Sequence, residues 1–190
     1  MDGFFSQAGA FLINTLFGMY ILAVLLRLML QMVRADFYNP VAQFLVIVTN
    51  PPLLPLRRII PGLWGIDLAS VVLLLALEAV EQYVLALLRG FGITALALLV
   101  LVTSQIVELV LYVFLFTILA RAILSWVAPY PRNAVMHLLV NLTEPLLRPA
   151  RRIIPPVGGL DLSPIAVLIL LELAIMLVEH GTLSIAQSIL

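Results

Sequence analysis

The sequence predicts an all-α integral membrane protein with four transmembrane helices. These are arranged as two tandem helix–connector–helix repeats in the same orientation, with short interfacial helices in each connector. Three observations predict this. The 190 residues are 64% hydrophobic and only 11% charged, with a mean hydropathy of +1.20. A soluble domain of this size lacks the polar surface to cover so much apolar area, whereas a bilayer does not require it. Four apolar segments each approach or exceed the ~20 residues that cross a hydrocarbon core as a helix. Finally, a shift of 94 residues aligns 27–78 with 121–172 without a gap, and 22 of those 52 positions are identical.

Apolar matches arise by accident in Leu-rich chains, so the polar and backbone-shaping matches carry the repeat. They are Arg27/Arg121, Asn39/Asn133, Thr49/Thr143, Pro51/Pro145, Pro55/Pro149, Arg57/Arg151, Arg58/Arg152, Pro61/Pro155, Gly65/Gly159, Asp67/Asp161 and Glu78/Glu172. Repeat 1 occupies 1–92, with membrane helices near 11–33 and 67–89 around a connector at 34–66. Repeat 2 occupies 93–190, with helices near 95–127 and 161–180, a connector at 128–160 and a C-terminal tail. The N-terminal MDGFFSQAGAF has no basic region and no small-residue cleavage site, and reads as a retained first helix. Arg89-Gly90-Phe91-Gly92 is the tight link between the copies, its glycines free to stop one helix before the next begins.

All ten basic residues are Arg. Arg34, Arg57 and Arg58 fall in the first connector and Arg132, Arg148, Arg151 and Arg152 in the second, with Arg89 alone on the other side. The positive-inside rule then places both connectors in the cytoplasm and both termini outside the bacterial inner membrane. Two spans per copy keep the copies parallel, related by a pseudo-twofold axis along the membrane normal.

Within the connectors, Asn39-Pro40 and Asn133-Ala134 have the chemistry of a helix start. The helices expected over 41–49 and 135–143 are too short to span and should lie in the interface, Gln43 being matched by His137. Pro51-Pro52 and Pro145 are expected to break them. Next come PLRRIIP and PARRIIP, short elements that can bury Ile59-Ile60 or Ile153-Ile154 while presenting guanidinium groups to lipid phosphates. Arg57, Arg58, Arg151 and Arg152 read as anchors at anionic headgroups, or else as a partner-docking or ligand site. Asp67 and Asp161 read as caps of the second spans, with Ser163-Pro164 an alternative start in copy two.

Arg27, Glu78, Glu81, Glu108, Arg121, Glu172 and Glu179 fall within or near apolar spans, where isolated charges normally pair or face the bundle interior. Arg27–Glu78 and Arg121–Glu172 pairs are expected, or the crossed pairs that would lock the copies together. The alternative is a polar path for ions or protons. Glu78 with Glu81 and Glu172 with Glu179 share helix faces, and Asn14 and Glu108 occupy equivalent positions. A pump is disfavoured, because broken spans and a Gly-rich filter are missing from the sequence.

Other chemistries are weakly supported. Without Cys, disulfides and thiolate chemistry are excluded. The net charge of zero argues against nucleic acid as a partner. His137 and His180 stand at non-equivalent positions, so a symmetric haem or metal site is not expected, and neither is any cofactor. Hydrolase and metalloprotease motifs are missing, Ser125 reads as a packing hydroxyl, and an enzyme is not expected.

The motifs resemble the YGGT family of small bacterial and plastid membrane proteins, which includes the YlmG-type proteins. Copy two carries the pattern in Arg121, Ser125-Trp126, Thr143-Glu144-Pro145, Pro149, Arg151-Arg152-Ile153-Ile154-Pro155 and Leu160-Asp161-Leu162. Copy one departs from it at Gln31-Met32 and Asn50. The resemblance covers essentially the whole chain and fits the two-copy form. It implies links to osmotic stress tolerance and cell-division neighbours, and in plastids to cytochrome haem maturation and nucleoid organisation. It brings no catalytic residues. The expected function is a non-catalytic scaffold, assembly or osmotic-tolerance factor whose connectors bind anionic lipid or a membrane-protein partner, with a homo-oligomer also admitted. A small-cation or proton channel or transporter subunit is the alternative, and a haem maturation factor a remote one.

Overall fold

A computed structural model describes residues 2–63, 65–90, 92–127, 134–154 and 161–189. Six helices follow in order: α1 (Asp2–Met32), α2 (Pro40–Ile59), α3 (Leu68–Leu88), α4 (Ala95–Val127), α5 (Ala134–Ile153) and α6 (Ser163–Ile189). Four of them, α1, α3, α4 and α6, are long and apolar enough to cross a membrane. Their outer faces carry exposed Phe5, Leu16, Phe116, Leu170 and Leu177, as a lipid-facing surface requires. α1 starts well before the segment expected from residue 11, because Phe4, Phe5 and Ala8 continue its apolar run.

The spans pack in a row. α1 lies on α3, α3 on α4 and α4 on α6, while α2 covers α1 and α3, and α5 covers α4 and α6. Each copy therefore repeats the same internal packing. The central core joins the copies: Ile21, Val24, Leu25 and Leu28 of α1 pack with Leu73 and Leu74 of α3, Val113 of α4 and Leu142 of α5. A smaller cluster in copy two is built on Ile118, Leu147, Val167 and Leu171. α3 is thus enclosed between two spans, whereas its counterpart α6 sits at the end of the row.

The connector helices depart from expectation. Each is a single 20-residue helix, α2 running through Pro51, Pro52 and Pro55, and α5 through Pro145 and Pro149. The prolines do not break them. A helical proline removes one N–H and frees the carbonyl four residues before it. Pro52 frees the Val48 carbonyl, and the Tyr20 hydroxyl donates to that oxygen at 3.3 Å. Copy two has Leu146 and Phe114 at these positions, so the proline and the hydroxyl that compensates it are both missing there. Burial of one face, through Leu45, Thr49 and Leu53 in α2 and Leu142, Thr143 and Leu147 in α5, holds the helices against the spans.

Caps follow partly as expected. Asn39 starts α2, its Oδ1 accepting from Val41 N at 2.9 Å with Pro40 in the first turn. Its Nδ2 also donates to the Ala134 carbonyl at 2.6 Å, tying the starts of α2 and α5 together. Gly90, with φ +72°, takes the left-handed conformation that ends α3. Asn133, Arg132, Pro155, Gly159, Leu160 and Phe91 lie outside the described residues, as do the side chains of Ser125 and Trp126.

Candidate functional site

Two polar centres emerge, one where each connector helix meets its spans and one inside the bundle. The first is repeated. Arg27, only 4% exposed, donates from Nη1 to Thr49 Oγ1 at 2.6 Å and Asn50 Oδ1 at 2.9 Å. Arg121 does the same in copy two, reaching Thr143 Oγ1 at 2.7 Å and Glu144 Oε2 at 3.1 Å. Thr49 and Thr143 in turn donate to the carbonyls of Leu45 and Leu139. A buried guanidinium requires acceptors fixed around it, and a threonine on an adjoining helix provides one at low conformational cost.

This corrects the expected Arg27–Glu78 and Arg121–Glu172 pairs, in both the direct and the crossed form. Each arginine turns toward its own connector helix, where a hydroxyl and an amide or carboxylate lie within direct reach. The glutamates sit farther into the spans. Thr49 and Thr143 were visible in the sequence as repeat matches, but their spacing did not single them out, since a gapless repeat gives every matched pair a common separation.

The second connector arginine pair divides its work. Arg57 donates from Nε to Asp67 Oδ2 at 3.0 Å, and from Nη2 to the same oxygen, which also takes the Ser70 hydroxyl at 2.6 Å. Arg151 pairs from Nε with Asp161 Oδ2 at 2.8 Å and from Nη1 with Glu144 Oε1 at 3.2 Å. Arg58 and Arg152 are instead exposed, next to Ile59 and Ile153, which are 79% and 81% exposed. The two halves of each Arg-Arg motif thus face different environments.

Asp67 and Asp161 both stand at the starts of their helices, and each also holds an arginine; only Asp161 makes a side-chain bond to the helix backbone. Asp67 occupies the cap position of α3, but its carboxylate makes no capping bond to the helix backbone, because Arg57 and Ser70 hold it. Asp161 lies two residues before α6, and its Oδ1 accepts from both Ser163 N at 3.0 Å and Ser163 Oγ at 2.6 Å. The helix itself opens with Ser163-Pro164. Burial pushes the Asp67 carboxyl up, but Arg57 and Ser70 outweigh it and hold its pKa below the ordinary value. Asp161 is likewise lowered: burial acts upward and is exceeded by Ser163 and Arg151. Burial alone would lower Arg151, yet Asp161 and Glu144 raise it.

The second centre lies between α1, α3 and α4. Glu78 and Glu81, 6% and 4% exposed, line a cavity of about 310 Å³ with Asn14, Gln82, Arg89 and Gln105. Gln82 donates to Glu78 Oε1 at 2.9 Å. Glu172, the repeat counterpart of Glu78, is exposed on α6, as is Glu179, whose carboxylate lies 3.5 Å from the Tyr112 hydroxyl. Glu108 is half-buried nearby. The expectation that these acids turn inward therefore fails for Glu172, because α6 has a span on one side only. No group of three or more His, Asp or Glu able to hold a metal ion occurs among the described residues.

Comparison with known proteins places these features in a family. The family model described as CCB3/YggT matches residues 6–88 and again 100–182, two segments related by the same 94-residue shift as the internal repeat. An uncharacterised protein of Pseudomonas aeruginosa, PA0392, is 47% identical over 178 residues, spanning 93% of this chain and 90% of that protein. A Vibrio alginolyticus protein from the proC 3′ region is 43% identical, covering 87% and 90%. YggT of Escherichia coli K12 is 39% identical, covering 85% and 84%. No solved structure matches the chain. Two family segments in register with the repeat, and relatives covering nearly the full length, establish that the chain belongs to the CCB3/YggT family.

Proposed function

We propose that this protein is a non-catalytic scaffold of the bacterial inner membrane. Its two connector helices lie at the cytoplasmic leaflet and engage anionic headgroups or a membrane-protein partner. The observation that carries this reading is the exposed Arg-Ile step at the end of both connector helices, Arg58-Ile59 and Arg152-Ile153. A cation beside a projecting aliphatic side chain suits the headgroup boundary, where phosphate and hydrocarbon meet. The Asn39–Ala134 bond supports two connectors on one side, and hence parallel copies, while the arginine-rich connectors favour the cytoplasmic side, which leaves both termini periplasmic. A role in osmotic tolerance fits such a scaffold.

The test replaces Arg58 and Arg152 by Gln together, leaving Arg57 and Arg151 in their ion pairs. Insertion should be normal, while recovery of co-purified anionic lipid or partner, and growth after osmotic shock, should fall. Unchanged recovery and growth reject the reading. A second reading, a small-cation or proton path, is favoured by the partly open polar cavity that Glu78 and Glu81 line. It requires ion flux in reconstituted vesicles that is lost in Glu78→Gln, and a silent, well-folded wild type rejects it.

A further inference from the structure

The two copies carry the same pair of arginines but different anions between them. In copy two Glu144 bridges the pair, with Oε2 facing Arg121 at 3.1 Å and Oε1 facing Arg151 at 3.2 Å. Together with Asp161, two carboxylates balance two guanidinium groups. Copy one has Asn50 at that position, and its amide oxygen accepts from Arg27 alone. Asp67 balances Arg57. Among the described residues no carboxylate lies in ion-pair range of Arg27, although its side chain is almost completely buried. One positive charge is left over.

Space accompanies that charge. An open-mouthed cavity of about 600 Å³ is lined by Arg27, Gln31, Val46, Arg57, Ile60 and Asp67. It is far larger than a carboxylate side chain needs. A buried cation without a counter-charge is costly, and an oxyanion with one oxygen toward each guanidinium relieves it. We infer that the copy-one cavity binds a phosphate group between Arg27 and Arg57, in the place that the Glu144 carboxylate fills in copy two. The phosphate comes either from the headgroup of an anionic phospholipid or from free phosphate. These residues are distinct from the exposed Arg58 and Arg152, so the site stands apart from the surface reading above.

The experiment uses the full chain in uncharged detergent. In one arm phosphatidylglycerol is titrated against a phosphatidylcholine background and bound lipid is counted by native mass spectrometry. In the other, inorganic phosphate is titrated and the thermal unfolding midpoint is followed. Wild type should bind one probe saturably per chain; selective lipid retention assigns the headgroup as source, and a saturable phosphate shift without it assigns the free anion. Asn50→Glu and the near-isosteric Asn50→Asp each supply an internal carboxylate and should weaken binding about ten- to hundredfold, the range of a charged hydrogen-bond pair. Gln43→Glu, which adds a comparable charge on an exposed turn of α2, should leave it unchanged, and Arg58→Gln with Arg152→Gln should leave the inorganic-phosphate shift unchanged. Saturable binding by neither probe, or binding that Asn50→Asp leaves intact, overturns the inference.

Discussion

Copy one and copy two of this chain share a helix plan and an arginine–threonine contact, yet they differ wherever position in the row of spans differs. Glu78 lies within the bundle because α3 has a span on either side, while Glu172, the same residue in the repeat, faces outward because α6 closes the row. Asn50 and Glu144 differ in the opposite sense, leaving copy one with surplus positive charge and copy two balanced. Duplication preserved the local fold and let the environment of each equivalent side chain diverge.

The largest expected effect breaks the comparison at the glutamates. Glu172 lies about ten residues into α6, or roughly 14 Å along its axis. An exposed carboxylate at that depth costs ~2.5–3.5 kcal/mol by insertion scales. Glu172→Leu should therefore stabilise the protein by about 2 kcal/mol or more in lipid, while Glu78→Leu should not, since Glu78 lines a polar cavity. Equal stabilisation by both, measured by reversible unfolding in bicelles, would show that the two sites are not different.

Next come the threonines. Thr49→Val removes an acceptor from a deeply buried arginine and should cost about 2 kcal/mol. Thr143→Val should cost roughly half as much, because Arg121 retains the Glu144 carboxylate. Chemical denaturation midpoints distinguish the two, and a larger loss in copy two would reverse the proposed balance.

The connector carboxylates sharpen the contrast through pH. Both Asp67 and Asp161 have pKa values held below their ordinary 3.8, so the stability they contribute is present above that value. It is lost as pH falls through the lower folded value. Asp67→Asn should remove most of the acid-linked loss and cost about 1–2 kcal/mol at neutral pH. Asp161→Asn should cost less than about 1 kcal/mol, because solvent screens its more exposed pair. Unfolding midpoints followed from pH 7 downward, to about pH 3, test both.

The smallest effect concerns Tyr20. Tyr20→Phe should cost about 1 kcal/mol by leaving the Val48 carbonyl unpaired. Adding Pro52→Leu, which restores the N–H, should cancel that loss and convert copy one to the arrangement of copy two. A double variant no more stable than Tyr20→Phe alone would disprove this account of the proline-bearing helix.

Much of the fold was legible in the sequence. Apolar segment lengths fix four spanning helices, since backbone hydrogen bonds must close within each segment once water is removed. The 94-residue shift fixes the duplication, and Asn39-Pro40 fixes the start of α2. The prolines misled because their cost depends on whether another group meets the freed carbonyl, and Tyr20 is distant in sequence. Arg57 and Arg58 looked alike because adjacent residues on a helix point about 100° apart, a difference that matters only once a neighbouring helix covers one side.

What the sequence determined by itself is local or periodic: which segments are apolar, where they repeat, and which residues start or end helices. What tertiary structure alone decided is pairing and enclosure. Arg27 meets Thr49 and Asn50 rather than Glu78, and Glu78 is enclosed while Glu172 is not, because a side chain's partner depends on which helices pack against it. Equivalent residues in similar local sequences carry no record of their neighbours, and here the order α1, α3, α4, α6 supplied it.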